Sequence, residues 1–221
     1  MIKIKYILIF IFLFSCVISC KAKNLYKNNE VGFSFKIPKD SYLGNEDKGL
    51  NNYYIRIYVQ KPEDILGGVN KFNEIKSNIE KNIYPNIPNI PANLIKYKKI
   101  GRTKIGIDFH RGYDIFSGVI GKRIFFIKNN RLVSIFFQYE FNGPKDMNDK
   151  DNLQMVFEEI VDKYYKEAQN KGIKKNQGSY VVKEIENYIM KNKNKKTEIP
   201  EEIVKLFILF DKLLDSLKFY N

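Results

Sequence analysis

The chain has one histidine, His110, which stands two residues after Asp108. Alternate residues of a β-strand point to the same face of a sheet, so we expect the two side chains to be neighbours. A carboxylate beside an imidazole can orient a general base. However, the sequence lacks the Gly-x-Ser-x-Gly turn that would present a nucleophile to it. We therefore interpret His110 as a surface or structural residue and predict no enzymatic activity, unless Asp108, His110 and Arg111 gather in one pocket.

The sequence contains few residue patterns that could bind a metal ion or a cofactor. A single histidine cannot supply the two or three imidazoles of a typical zinc site. The glycines are scattered, and no glycine-rich loop follows the pattern that cradles a phosphate group. The sequence therefore predicts neither a metal site nor a dissociable cofactor.

A basic stretch with one aromatic residue lies near the middle of the chain. It comprises Lys96, Tyr97, Lys98, Lys99, Arg102 and Lys104. Such a mixture can bind an anionic ligand, and the net charge of +13 favours anionic partners in general. Base composition could also produce the excess of lysine, because lysine shares A/T-rich codons with asparagine, isoleucine and tyrosine, which are also abundant in this chain. The stretch is a candidate anion-binding patch or a solvated lysine-rich face.

The N-terminal residues have the layout of a secretory signal. Lys3 and Lys5 precede an uncharged, mostly apolar run over residues 6–19. A helix needs about 20 residues to cross a bilayer, so this run is too short for a permanent span. We expect it to be removed after export.

Val17, Ile18, Ser19 and Cys20 end this run. They resemble the lipobox of bacterial lipoproteins, in which an aliphatic, a variable and a small residue precede cysteine. The resemblance implies a signal peptide of residues 1–19, cleavage between Ser19 and Cys20, a diacylglycerol on the Cys20 sulfur and an N-acyl chain such as palmitate. Two or three acyl chains would anchor the protein durably. The mature chain would then keep no free thiol for catalysis, metal binding or redox chemistry.

The remaining chain predicts a tether over residues 20–30 and a single domain over residues 31–221. Period-two alternation predicts strands at residues 31–37, 53–60, 104–110, 122–128 and 131–141, with a loop at 41–52 and a tight turn at Asn129-Asn130. Apolar stripes predict helices at residues 64–82, 151–171, 179–191 and 200–218. This order predicts an α+β fold, with helices packed on an antiparallel sheet.

The two ends of this domain resemble the PsbP-like family. The first match is the glycine-aromatic strand Val31-Gly32-Phe33-Ser34-Phe35-Lys36-Ile37-Pro38, which proline ends. The second is the end of a terminal helix, Leu213-Leu214-Asp215-Ser216-Leu217-Lys218-Phe219. The resemblance implies a sandwich fold and a binding or assembly role without a particular ligand. Residues 173–198 depart from the family and add helical structure near the C-terminus.

These features predict a lipid-anchored module of the bacterial cell envelope that binds or assembles without catalysis. One alternative is a lipid or lipoprotein carrier, which would need an apolar cavity. Another is a surface adhesin for acidic glycans or host proteins, although the short tether favours a periplasmic-facing position. The expected partners are membrane lipid, through the anchor, and an envelope protein or acidic glycan. Export makes a nucleic acid an unexpected partner.

Overall fold

The protein is described by a computed structural model over residues 24–44, 52–83, 94–113, 117–142, 153–174, 177–195 and 199–220. The predicted signal peptide and the lipobox, including Ser19 and Cys20, lie outside the described residues. Within those residues the α+β class is confirmed. The PsbP-like resemblance stays a prediction.

Nine strands and four helices follow one another along the described chain. The strands are β1 (Leu25–Asn28), β2 (Phe33–Lys36), β3 (Ser41–Leu43), β4 (Asn52–Gln60), β5 (Ile95–Ile100), β6 (Thr103–Tyr113), β7 (Ser117–Lys128), β8 (Arg131–Asn142) and β9 (Lys218–Phe219). The helices are α1 (Gly68–Glu80), α2 (Leu153–Asn170), α3 (Gln177–Lys191) and α4 (Glu201–Ser216), and a short 3-10 turn precedes α1.

The strands form two sheets. The larger sheet has the order β3-β4-β8-β7-β6-β5, and the smaller sheet has the order β1-β2-β9. All neighbours are antiparallel except β3 and β4, which run parallel. The long strands β7 and β8 are joined by a turn in which Asn129 and Asn130 have φ of 48° and 53°. Asparagine tolerates this left-handed conformation, and the predicted tight turn is confirmed.

Successive side chains of the long strands point to opposite faces of the larger sheet, and helices cover both faces. The inner face carries side chains such as Ile107, Ile124 and Ile135, which join the main core with helices α2, α3 and α4. The outer face carries Phe125 and Leu132, which form a second cluster with helix α1. Because each face buries apolar side chains against helices, the sheet is the central layer of the domain.

The smaller sheet closes the inner side of the core. Phe33 and Phe35 are fully buried, and the Phe33 ring lies 5.4 Å from that of Phe126 on β7. Gly32 precedes them with φ of 81°, and a Cβ there would overlap the Tyr220 carbonyl oxygen. Glycine is therefore needed at this position for the chain end to pack across the strand.

Three predicted boundaries need correction. Leu25–Asn28 forms strand β1 on β2, so the tether predicted for residues 20–30 ends too late. The predicted loop at 41–52 contains β3, whose backbone pairs with β4. The terminal helix ends at Ser216 rather than at residue 218, because Lys218 and Phe219 pair with β2.

The first helix also begins later than predicted. Residues 62–64 form a 3-10 turn, and Gly67 and Gly68 follow with φ of 95° and 62°. These left-handed values interrupt a right-handed helix, so α1 begins only at Gly68.

Candidate anion-binding cleft

The predicted basic patch extends over the edge strand β5, the turn that follows it and the start of β6. Lys96 points to the inner side and forms an ion pair with Glu186 of α3. Tyr97 and Lys104 lie beside the outer cluster, where the Tyr97 hydroxyl donates to the Ile83 carbonyl at 2.7 Å. The Lys104 ammonium donates to the Glu80 carbonyl at 2.6 Å, near the end of α1. These three residues of the patch therefore hold neighbouring elements together.

The other three cations of the patch are Lys98, Lys99 and Arg102, and all are exposed. Lys98 and Lys99 lie on β5, at the edge of the larger sheet. Lysines there also discourage pairing with a strand of another chain, which is a sufficient structural role. Arg102, unlike Lys98 and Lys99, lines a cleft.

The cleft has a volume of about 510 Å³ and lies where the two sheets meet. Its walls come from the β5–β6 turn, the last residue of β7, and the chain between α4 and β9. The apolar residues Ile100, Leu217 and Phe219 contribute to its lining. The cations in the lining are Arg102, Lys128 and Lys218.

Local structure explains why these separate segments meet. Gly101, with φ of 57°, allows the two-residue turn that places Arg102 at its tip. Leu217 ends α4 in an extended conformation, and Lys218 then pairs with Ser34 of β2. The Phe219 ring lies 4.9 Å from the Phe126 ring, edge to face, and fixes the chain end at the cleft.

The cleft is strongly positive. No carboxylate is among its described lining residues, and no ion pair joins Arg102, Lys128 or Lys218 to a described acid. A planar guanidinium and two ammonium groups suit phosphate, sulfate or carboxylate oxygens. The apolar part of the lining suits the body of a ligand that carries such a group. The geometry therefore favours binding of an amphiphilic anion.

Asp108, the residue considered above as a neighbour of His110, is bound by Arg123. It is 2% exposed on the outer face and accepts two hydrogen bonds from Arg123, one of them from Nε to Oδ1 at 3.1 Å. Burial raises the pKa of Asp108 to about 6, against the lowering effect of the Arg123 charge. The side chains of His110 and Arg111 lie outside what the structure describes, so the predicted absence of catalysis stays a prediction.

A second buried charge, Lys122, did not enter the sequence-based candidates. Its ammonium group donates to Glu186 Oε1 at 2.7 Å and lies 3.9 Å from Asp211. The ring centroids of Phe207 and Phe210 are 4.6 and 4.2 Å away. Burial lowers the pKa of Lys122, and the Glu186 carboxylate opposes that shift. The strand alternation could have indicated it, because Lys122 shares the inward parity of Ile124 and Phe126.

The described residues contain neither a metal-ligand cluster nor a membrane-spanning helix. Among them, no three His, Cys, Asp or Glu side chains are grouped as metal ligands would be. None of the helices described is both long enough and apolar enough to span a bilayer. The sequence has a further basic stretch of Lys193, Lys195 and Lys196. Lys193 and Lys195 are exposed after α3, and Lys196 lies outside the described residues.

Comparison with known proteins adds no relative. No protein-family model matches the chain, and no curated protein matches its sequence. A functional proposal therefore has to start from the cleft and from the N-terminal sequence.

Proposed function

We propose that this protein is a lipid-anchored lipoprotein of the bacterial cell envelope that binds an anionic ligand without catalysis. The observation that carries the binding role is the cleft, whose lining combines three cations without a described acidic partner and three apolar residues. The anchoring role is supported by the lipobox-like sequence that ends at Cys20.

The core favours a binding surface over the carrier alternative. A carrier would hold its cargo in an apolar cavity between the sheet and the helices. In the described chain, that region contains packed aromatic side chains. The Phe109 ring lies 5.4 Å from the Phe157 ring and 5.8 Å from the Phe207 ring, and all three residues are buried. Ligand binding is therefore assigned to the cleft at the surface.

The start of the fold supports a position close to the membrane. β1 begins at Leu25, so residues 21–24 alone separate Cys20 from the first strand. Four residues span at most about 14 Å. A domain on so short a tether would remain next to its bilayer, which favours a periplasmic-facing module over a surface adhesin.

Metabolic labelling with an alkyne fatty acid tests the anchor. We expect the full chain, expressed in a bacterium, to take up the label and to enter the detergent phase of a Triton X-114 extraction. Cys20→Ser should lose both properties, whereas Cys16→Ser should keep them because that cysteine lies within the signal segment. A labelled Cys20→Ser protein, or an unlabelled natural chain, would contradict lipidation at Cys20.

Retention on immobilised heparin, a sulfated polyanion, tests the cleft. The mature chain from residue 20 carries Cys20→Ser in this experiment, so that lipid does not contribute. Replacing Arg102, Lys128 and Lys218 together by Gln should lower the salt concentration at elution. A control with Lys166, Lys183 and Lys191 replaced by Gln loses the same charge from exposed helical positions. Equal behaviour of the two variants would reject the cleft as the anion site.

A further inference from the structure

The smaller sheet has a basic face that continues into the cleft. The pairing places Lys27, Ser34 and Lys218 side by side in one row, and places Leu25 opposite Lys36 in the next. These residues point away from the core, because Phe33, Phe35 and Phe219 occupy the alternate positions that pack inward. Lys218 belongs to both the sheet face and the cleft.

We define the basic face by its outward side chains and the cleft cations. Its members are Leu25, Lys27, Lys36, Arg102, Lys128 and Lys218. Leu25, on β1, is 51% exposed. The described acid at the neighbouring turn, Glu30, is paired with Arg131 at 3.2 Å. The face therefore combines an exposed apolar side chain with five cations.

The face lies close to the predicted attachment point. Neighbouring strands are about 4.8 Å apart, so β9 lies about 10 Å from β1 across the sheet. The chain from Cys20 to Leu25 makes five Cα-to-Cα steps, which extend at most about 17 Å. The cleft is therefore held within a few tens of ångströms of the Cys20 sulfur. At that distance it can reach the surface of a bilayer that holds the anchor.

We infer that the basic face lies against the bilayer that holds the anchor, and that the cleft binds the phosphate headgroup of an anionic phospholipid. The orientation rests on the proposed function, because it assumes lipid on Cys20, whereas headgroup binding does not. Lysine and arginine near an anionic membrane are attracted to it, and an exposed leucine can enter the headgroup region. In this arrangement the apolar lining of the cleft would contact the glycerol and upper acyl carbons.

Vesicle sedimentation of the mature chain from residue 20 with Cys20→Ser tests this inference. We expect this protein to sediment with vesicles that contain phosphatidylglycerol and to stay in solution with vesicles of phosphatidylcholine alone. Reversing Arg102, Lys128 and Lys218 to Glu should weaken partition at least about tenfold. Circular dichroism and thermal unfolding check that each variant is folded.

A matched variant and a competitor separate headgroup binding at the cleft from general charge attraction and from binding of a soluble phosphate. Reversing Lys166, Lys183 and Lys191 to Glu gives the same net charge, so equal loss of partition by that variant would overturn the inference. Free glycerol phosphate, as the competitor, should release the protein only at concentrations far above that of the phosphatidylglycerol, because it lacks the acyl carbons and the membrane surface. Release at a concentration equal to that of the lipid would overturn the inference, since the ligand would then be a soluble phosphate. Leu25→Ser should weaken vesicle partition and leave heparin retention unchanged, and an unchanged partition would contradict membrane contact at this face.

The two proposals fail separately. If the natural chain took up no fatty-acid label, the proposed anchor would be wrong, but the cleft could still bind vesicles. Retention on heparin without any binding to phosphatidylglycerol would overturn the lipid headgroup and leave an anion-binding module.

Discussion

Lys122 and Arg123 are consecutive residues of β7, and they bury their charges on opposite faces of the larger sheet. The Arg123 side chain is 5% exposed and the Lys122 side chain is 1% exposed. Both form ion pairs and both lie against phenylalanine rings. The two sites differ in how exposed the acidic partners are. We expect this difference to decide how much stability the protein loses when each basic side chain is replaced.

The Arg123 pair is self-contained. The Asp108 carboxylate accepts from two guanidinium nitrogens, and its side chain is 3% exposed. The rings of Phe125 and Phe136 lie 5.1 and 5.3 Å from the guanidinium carbon. Arginine suits such a site because its planar group is weakly hydrated, stacks on rings and binds a carboxylate in two places. Neither partner has water to replace the other.

The Lys122 pair is the inner end of a longer network. Its partner Glu186 has a 17% exposed side chain and also binds Lys96, which is 28% exposed. Asp211, 3.9 Å from the Lys122 ammonium, is 48% exposed. Charge at this site can therefore be compensated by a second lysine and by water. Burial of one side chain thus does not by itself decide the cost of removing its partner.

The largest effect should follow from Arg123→Met, which leaves the Asp108 carboxyl buried without a cation. We expect a loss of about 3–5 kcal/mol in the free energy of unfolding at neutral pH, measured by urea denaturation. Arg131→Met is the control, because its partner Glu30 is 68% exposed, and it should cost less than about 1 kcal/mol. A loss for Arg123→Met as small as that of the control would mean that the outer pair is not isolated.

The pH dependence of stability should sharpen this result. Burial raises the pKa of Asp108 from 3.8 to about 6, so the folded protein binds this proton more tightly than the unfolded chain does. The contribution of Asp108 to stability is then full below about pH 4 and is lost as the pH rises through about 6. Comparison with Asp108→Asn, which does not titrate, isolates this residue from the other carboxylates.

We expect the stability of the natural chain, minus that of Asp108→Asn, to fall by about 2 kcal/mol between about pH 4 and about pH 7. Urea denaturation at several pH values measures it. A difference that instead grows with pH would show that Arg123 outweighs burial and holds the pKa of Asp108 below its ordinary value.

The local sequence predicts on which face of the sheet Lys122 and Arg123 lie. It does not predict which acidic residues pair with them. Strand alternation over residues 122–128 predicts opposite faces for Lys122 and Arg123. The choice of Asp108 depends on the register between β6 and β7, in which Asp108 stands opposite Arg123. Glu186 comes from a correctly predicted helix, but packing of α3 against the sheet decides which of its acids reaches Lys122.

The cleft shows the same limit. Arg102 belonged to the predicted patch, because it lies within a local basic sequence. Lys128 and Lys218 did not, since they come from distant segments that meet only in the fold. The helical pattern of the last residues extended through Lys218, and long-range pairing with Ser34 turned that residue into part of a strand. Non-local pairing therefore created the site that local patterns missed.

The smallest effect should follow from Lys122→Met, although Lys122 is at least as buried as Arg123. Methionine has a similar length and can fill the space beside Phe207 and Phe210. Glu186 would keep Lys96 and its contact with solvent, so no isolated charge would remain. We expect a change of less than about 1 kcal/mol in the free energy of unfolding, measured by urea denaturation beside Arg123→Met.

The double variant Lys96→Met/Lys122→Met tests the reason for that tolerance. It removes both cations that bind Glu186, so its cost should exceed the sum of the two single costs by about 1 kcal/mol or more. Additive costs would mean that Lys96 does not compensate Glu186. A cost for Lys122→Met alone that equals the cost of Arg123→Met would remove the proposed difference between the two faces.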